Sequence, residues 1–199
     1  MVIERLTRAD RDEIVRVLID SFAEYPVMRF MVGSGPNYLE RLAVLVGFFA
    51  DARFARSFPV LGVRDQGRLA GVALVSEPNP EESPPEVRAL FAQLAADLGA
   101  DVLERMERYD ASGGHELPVQ PFHYLGMVGV PPEHQGKGYG GALVEAVKDL
   151  ARDHENSSGV CLHTEMQENV PLYEHLGFET VFEADIEGIH THRMFWKNA

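Results

Sequence analysis

Cysteine is nearly absent from this chain: Cys161 stands alone among 199 residues. One thiol cannot form an intrachain disulfide or a cysteine-rich zinc site, which suits a reducing, cytoplasmic setting. Long hydrophobic runs are missing too. The longest, Leu42 to Ala50, is far shorter than the roughly 20 residues that a membrane-spanning helix needs, so no membrane partner is expected. Positive charge is scarce: 18 Lys and Arg against 31 Asp and Glu give a formal net charge of −13. A general nucleic-acid binder needs a basic face, so nucleic acid is not an expected partner. The same charge disfavours anionic membranes and is compatible with cationic amines. Met1-Val2-Ile3-Glu4-Arg5-Leu6 has neither the basic nor the apolar region of a signal peptide. Internal repeats and extended low complexity are also lacking. An apolar content of 45% with 25% charged residues is ordinary for a globular protein, and the length suits one domain, 1–199.

Against these absences stands one dense feature, the run Val128-Gly129-Val130-Pro131-Pro132-Glu133-His134-Gln135-Gly136-Lys137-Gly138-Tyr139-Gly140-Gly141. An apolar strand, Tyr124 to Val130, enters it. A helix leaves it, with Leu143, Ala146, Val147 and Leu150 at helical spacing. Glycines let backbone approach a ligand closely and point successive N–H groups inward. A helix start adds unpaired N–H donors and partial positive charge. The whole is a seat for a phosphate or pyrophosphate. It is not a P-loop, because Gly138 follows Lys137 where a Ser or Thr is needed. Gly136, Gly138 and Gly141 satisfy G-x-G-x-x-G. In the dinucleotide fold, however, the first glycine follows its strand almost at once, and here Pro131 to Gln135 intervene.

The rest of the chain mixes strands and helices. Val2–Leu6 reads as a strand. Asp10 with Glu13 reads as a capping box before a helix whose apolar face is Ile14, Val17, Leu18 and Phe22, ended by Pro26. Tyr25 to Pro36 reads as an irregular connection. Tyr38, Leu39, Leu42, Val46 and Phe49 mark a second helix. Val60–Val63 and Leu69–Val75 form a hairpin around Asp65-Gln66-Gly67. Glu77 to Pro85 is a loop, Glu86 to Arg108 a helix, and Asp110 to Gln120 another loop. Then come the strand Phe122–Val130, its helix to His154, the strand Gly159–Glu165 and a short helix, Val170–Leu176. Phe178–Ala184 and Ile189–Trp196 close the chain as paired strands. This is an α+β class, a three-layer sandwich on one mixed, mostly antiparallel sheet.

Gln135, Gly138 and Gly140 also spell Q-x-x-G-x-G. This resembles the acyl-CoA loop of the GCN5-related N-acetyltransferase (GNAT) family, whose pattern is Gln or Arg, two residues, Gly, one residue, then Gly or Ala. Downstream, Asn169-Val170-Pro171-Leu172-Tyr173-Glu174-His175-Leu176-Gly177-Phe178 is similar to the family's N…lYexlGF signature. Two motifs in order are far more specific than either alone. The resemblance is sharp from Phe122 to Phe178 and rests on element order elsewhere. It implies the family's three-layer fold and an acetyl-CoA-dependent N-acetyltransferase, with acetyl-CoA as acyl donor.

The resemblance further implies that the turn Gln135, Gly136, Lys137, Gly138, Tyr139, Gly140 and Gly141 holds the pyrophosphate. It implies that backbone at Val128, Gly129 and Val130 pairs with the pantetheine arm, and that Asn169 contacts the donor. Asn169 reads equally as a helix N-cap, and Lys137 equally as a solvated lysine. Tyr173 matches the family tyrosine that faces the thioester sulfur and acts as general acid. A phenol, with an ordinary pKa of about 10, is a protonated donor at neutral pH. Tyr124 falls where histone-type members carry a strand Glu. It is no ready base, but it can order a water chain that carries the proton away. His123 lies on the opposite strand face from Tyr124. His163, Glu165, His190 and His192 read as surface or structural. Cys161 lacks a His partner for an acyl-cysteine route. His190-Thr191-His192 lacks further ligands at a known spacing, so no metal is expected.

His123-Tyr124-Leu125 also looks like a subset of the family that includes puromycin-type enzymes, which points to a small-molecule amine acceptor. Two other readings stay open: a non-catalytic acyl-CoA sensor, and a protein Lys or N-terminal acetyltransferase. The C-terminal strands leave a homodimer open.

Overall fold

The structure, a computed structural model, describes residues 1–78, 83–112 and 121–198, with Ser112 as backbone only. Parts of both expected loops, residues 79–82 and 113–120, lie outside the described residues. Seven strands form one sheet: β1 (Ile3–Arg5), β2 (Val60–Asp65), β3 (Arg68–Ser76), β4 (His123–Gly129), β5 (Gly159–Thr164), β6 (Glu179–Ile186) and β7 (Ile189–Lys197). Their order is β1-β2-β3-β4-β5-β7-β6. Every neighbouring pair is antiparallel except β4 and β5. The helix α6 (Tyr139–Asp153) makes that single parallel crossover, as the sequence predicts.

Side chains on the two faces bury two separate cores. α1 (Arg11–Phe22), α2 (Pro26–Val32), α3 (Tyr38–Ala55), α4 (Pro85–Leu98) and α5 (Ala100–Ser112) cover one face. They enclose Ile14, Leu18, Leu42, Leu45, Val72, Leu74 and Met127. α6 and α7 (Val170–His175) cover the other, over Leu61, Val63, Leu125, Leu143, Val147, Leu162 and Phe178. β3 is buried on both faces, with Val72 and Leu74 in one core and Ala73 and Val75 in the other. That is why Leu69 to Val75 reads as a continuous apolar run. The β2–β3 hairpin closes on Gln66 and Gly67, at φ +51° and +81°, a tight two-residue turn whose left-handed backbone suits a glycine.

Three local expectations are corrected. The capping box lies one turn early: Thr7 and Asp10 cap the 3-10 turn Arg8–Asp10, while Asp10 makes no side-chain cap on α1. Its carboxylate turns back to Thr7 and to Arg64. The connection Tyr25 to Pro36 contains α2, because Pro26 opens a helix rather than only ending one. Its fixed φ and missing N–H cost nothing in a first turn. The helix expected over Glu86 to Arg108 is two, split at Gly99 with φ +93°. Its second part takes in Asp110, expected in a loop. The helix expected from Leu143, Ala146, Val147 and Leu150 is α6, where Val144 and Ala151 are buried as well.

Candidate active site

The site starts from an irregularity in β4. On β3, Leu74 pairs with Met127 and Val75 with Leu125, so Gly126 is an extra residue, a β-bulge. A bulge shifts the alternation of side chains by one. Tyr124 and Gly126 face the α1–α5 side, and Met127 and Gly129 do so as well. Val128 is turned to the α6 side. The bulge also ends the pairing with β5. Only His123, Leu125 and the intervening Tyr124 pair across to Val160, Cys161 and Leu162. Beyond them β4 keeps β3 alone, and a notch opens in the middle of the sheet.

The glycine turn lies past the end of β4. Gly136 and Gly138 have φ +74° and +80°, and nothing lies within 4 Å of where a Cβ would stand on either. α6 begins at once, its first bond running from Ala142 N–H to Gly138 O at 3.0 Å. The N–H groups before it have no intrahelical acceptor. Open space, left-handed glycines and a helix start make a concavity that fits a pyrophosphate. Two of the side chains named there point elsewhere. Gln135 donates its Nε2–H to Val130 O at 3.1 Å, pinning the turn. Lys137 pairs with Asp65 at 2.9 Å, so it is not a free lysine. That pairing, with a Tyr139 hydrogen bond, holds the Asp65 carboxyl below its usual range.

A cavity of about 340 Å3 is lined from both cores. Leu125, Val128, Leu162 and Tyr173 come from the α6–α7 side, and Phe22, Tyr25, Met28, Phe48, Phe91 and Met106 from the other. The notch is where the two sets meet. Tyr173, 7% exposed, stands on α7 with its ring edge-on to Phe178 at 5.9 Å. Its hydroxyl has no hydrogen-bond partner among the described residues. Burial, then the charge of Glu165, raises its pKa further above the ordinary phenol value. It therefore stays a protonated donor. Asn169 also lines the cavity and donates to Thr164 Oγ1 at 3.3 Å. It makes no side-chain cap on α7, which removes the N-cap alternative.

Tyr124 projects into the cavity from the strand. Its hydroxyl lies 3.4 Å from His163 Nδ1. Arg193 Nε donates to His163 Nε2 at 2.8 Å. A guanidinium N–H can only donate, so the neutral ring carries its own proton on Nδ1, toward Tyr124. Burial, then Arg193, pushes His163 down to about 4. Its one basic lone pair is already taken. Tyr124 is raised by burial, then by Cys161 and Glu165, so it too stays neutral. His123 lies on the other face as expected, 2% exposed, with Nδ1 2.9 Å from Ser157 Oγ. Cys161 is 1% exposed and its thiol is pushed up to about 12 by burial, which opposes thiolate chemistry.

Sequence reasoning did not single out Tyr25, Arg53, Tyr109, Asp110 or Thr191, and it gave Glu165 no role. Glu165 lines the cavity at the end of β5. Its Oε1 accepts from the Tyr109 hydroxyl and from Thr191 Oγ1, the latter at 2.9 Å. Its backbone N–H donates to Tyr25 Oη at 3.1 Å, and that hydroxyl also meets Thr164 Oγ1 at 3.1 Å. These partners come from α1–α2, α5 and β7, far apart in the chain, so no local spacing announces them. Tyr109 stands among the charged residues Glu107, Arg108 and Asp110, so its segment gave no signal either. The H-x-H pair of β7 also gains a neighbour the spacing did not give. Glu183, across the β6–β7 ladder, brings its carboxylate within 4.8 Å of ligand atoms of His190 and His192. Asp185 sits 3.1 Å from His190 and raises its pKa.

Comparison with known proteins fits this geometry. Three solved structures share the fold. One is described as a histone acetyltransferase and related acetyltransferase from Corynebacterium glutamicum: 23% identity over 100% of this chain and 96% of that one, TM-score 0.75. The second is arylalkylamine N-acetyltransferase 2 from Aedes aegypti: 14% identity, 98% and 96% covered, TM-score 0.67. The third is a ribosomal-protein-alanine N-acetyltransferase from Brucella melitensis: 16% identity, 100% of both chains covered, TM-score 0.62. The model of the acetyltransferase (GNAT) family matches residues 21–178, from the end of α1 through the second motif. With the glycine turn, the bulged β4 and the notch all inside that span, the chain belongs to the GNAT family of acetyltransferases.

Proposed function

We propose that this chain, acting as one domain, transfers an acetyl group from acetyl-CoA directly to the primary amine of a small molecule held in the aromatic cavity. The observation that carries this is the cavity itself. About 340 Å3 is enough for a small ligand and is roofed by α2, α3, α4 and α5, where a protein substrate would want a peptide-length groove.

The turn Gln135 to Gly141 would hold the donor's pyrophosphate through backbone N–H groups. The unpaired edge of β4, Gly126 to Gly129, offers the pantetheine amides a strand to bond to, with Val130 just beyond. The acetyl group then reaches the notch beside Tyr173. The amine nitrogen attacks the thioester carbonyl, a C–N bond forms and the C–S bond breaks. The Tyr173 hydroxyl gives its proton to the departing sulfur and is restored as the new amide nitrogen sheds its extra proton through cavity water. The ammonium must lose its proton first. Glu165, with the water that Tyr124 can order, is the acceptor on that side of the cavity. His163 is excluded by its bond from Arg193.

A calorimetric titration of acetyl-CoA followed by an amine panel tests this reading. Micromolar binding that Gly138→Val weakens tenfold or more, with CoA release on small amines, supports it. Binding with no turnover on any amine favours the sensor reading, and acetylation of peptides alone favours a protein acceptor.

A further inference from the structure

The small-molecule reading leaves one residue of the cavity unexplained. Arg53, on α3, lines it. Its Nε is shielded from solvent and has no hydrogen-bond partner. It makes no ion pair among the described residues. The other cations of this face are satisfied: Arg11 by Asp51 at 2.7 Å and Arg105 by Asp101 at 2.6 Å. Neighbouring Arg56 bonds to Ser83. Each of the two guanidinium groups also has a ring nearby, Phe49 at 6.0 Å for Arg53 and Phe58 at 5.8 Å for Arg56. The residue as a whole is half-buried on the cavity wall, and a shielded, unpaired guanidinium N–H is costly while Arg56 nearby adds like-charge repulsion. In a chain of net charge −13, a carboxylate partner would be easy to supply.

The guanidinium also has a defined address. A Cβ on Gly126 would stand 2.5 Å from Arg53 Nη2. The bulge residue is thus the one that leaves room for this group, next to Tyr124. Glu165 and Asp110 line the same cavity without pairing with Arg53. Burial raises the Asp110 carboxyl, and burial holds Arg53 down to about 10, still charged at neutral pH. The cavity therefore carries an acidic group at Glu165, held by Tyr109 and Thr191, a separate arginine at Arg53 beside Gly126, and walls of Phe, Tyr and Met.

We propose that the acceptor amine also carries a carboxylate, which Arg53 binds, so that the substrate class is an amino carboxylate with an aromatic or long apolar body. A single planar guanidinium fork matches a carboxylate in two parallel hydrogen bonds. The ammonium end meets Glu165, and the apolar body fills the aromatic wall. This inference rests on the small-molecule reading.

The test separates the two. Matched pairs are used: aromatic and long-chain amino acids beside the amines that lack only the carboxylate. The N-acetylated form of each is titrated into the CoA-loaded protein, so affinity is read without turnover, and CoA release is measured in parallel. Wild type should bind the carboxylated member of a pair about 10–100-fold tighter. Arg53→Met should collapse that ratio to near one, and Arg53→Lys should restore part of it. Equal loss in both series on Arg53→Met would overturn the inference and assign Arg53 to the thioester carbonyl instead. A wild type that prefers the amines, or binds neither series, also overturns it. CoA release on amines with no carboxylate preference defeats this inference alone; no release on any acceptor defeats the parent reading.

Discussion

The two faces of the sheet approach the notch with different materials. On the α6 side the candidate donor seat is backbone: two left-handed glycines, a helix start and a bare strand edge. Its side chains are turned to internal tasks, Gln135 to Val130 and Lys137 to Asp65. On the α1–α5 side the cavity is built of side chains, from Tyr25, Arg53, Tyr109, Glu165 and their neighbours. Backbone recognition suits a donor that is always the same molecule. Side-chain recognition can be retuned, and it is where specificity for an acceptor belongs.

The contrast can be broken where the faces meet. Tyr173→Phe removes a proton donor and no packing. It should lower kcat by about 10²–10⁴-fold while calorimetry finds acetyl-CoA affinity within about threefold. A small change in kcat would remove Tyr173 from the chemistry.

A second, smaller effect probes the backbone half. Gly159 opens β5 at φ +153°, and a Cβ there would stand 2.0 Å from Trp196 O. Since that atom is main chain on β7, it cannot swing aside. Gly159→Ala should cost at least about 3 kcal/mol in urea unfolding. A loss under about 1 kcal/mol would mean that the β5–β7 ladder yields more easily than its close approach implies.

Two histidines have their pKa lowered, His123 on the α6 side and His163 at the cavity. Both sit at about 4 when folded, against 6.5 unfolded, chiefly through burial. The lowered folded value fixes the sign. Above pH 6.5 neither state is protonated and stability is full. As pH falls toward 4 the unfolded chain takes up protons first, and stability drops by roughly 2–3 kcal/mol for each histidine. Exposed His190, raised by Asp185, acts in the opposite direction but at a surface site. Denaturation midpoints at pH 7.5, 6 and 5 measure the balance. A rise toward pH 5 would contradict the burial argument, and His163→Gln should remove only the cavity-side share.

The smallest effect sharpens the comparison most. If the donor seat is backbone, Lys137→Ala should change acetyl-CoA affinity by less than about threefold, within the range of exposed charge pairs. Gly138→Val should cost tenfold or more, since φ +80° strains any β-branched residue. Comparable losses in the two variants would return the seat to its side chains.

The same division decided what could be read from the chain. The glycine turn, its strand and its helix are contiguous, so β4–α6–β5 and the family motifs were legible. So was the closing pair β6–β7, from its alternation. α2 was hidden because Pro26 signals both an end and a start, and only the bonds around it say which. The break at Gly99 was hidden by uninterrupted apolar spacing on both sides. The bulge at Gly126 was silent as well, yet it decides which of Met127 and Val128 joins the α1–α5 core. The carboxylate of Glu165 acquires its setting from β5–β7 pairing, which puts Thr164 beside His192 and so Thr191 within reach. Such proximity is a property of the assembled sheet, and no spacing in the sequence carries it.

The three-pair junction of β4 with β5 has a mechanical side. The sheet is two blades, β1 to β4 and β5-β7-β6, riveted together along one short seam at His123 to Leu125. Each blade is well laced within itself, and between them the open length of β4 has no rung. A ligand laid along that length would act as a splint, bracing one blade against the other. Occupancy should then register far from the notch, as slower amide exchange in β6 and β7, strands that touch no part of it.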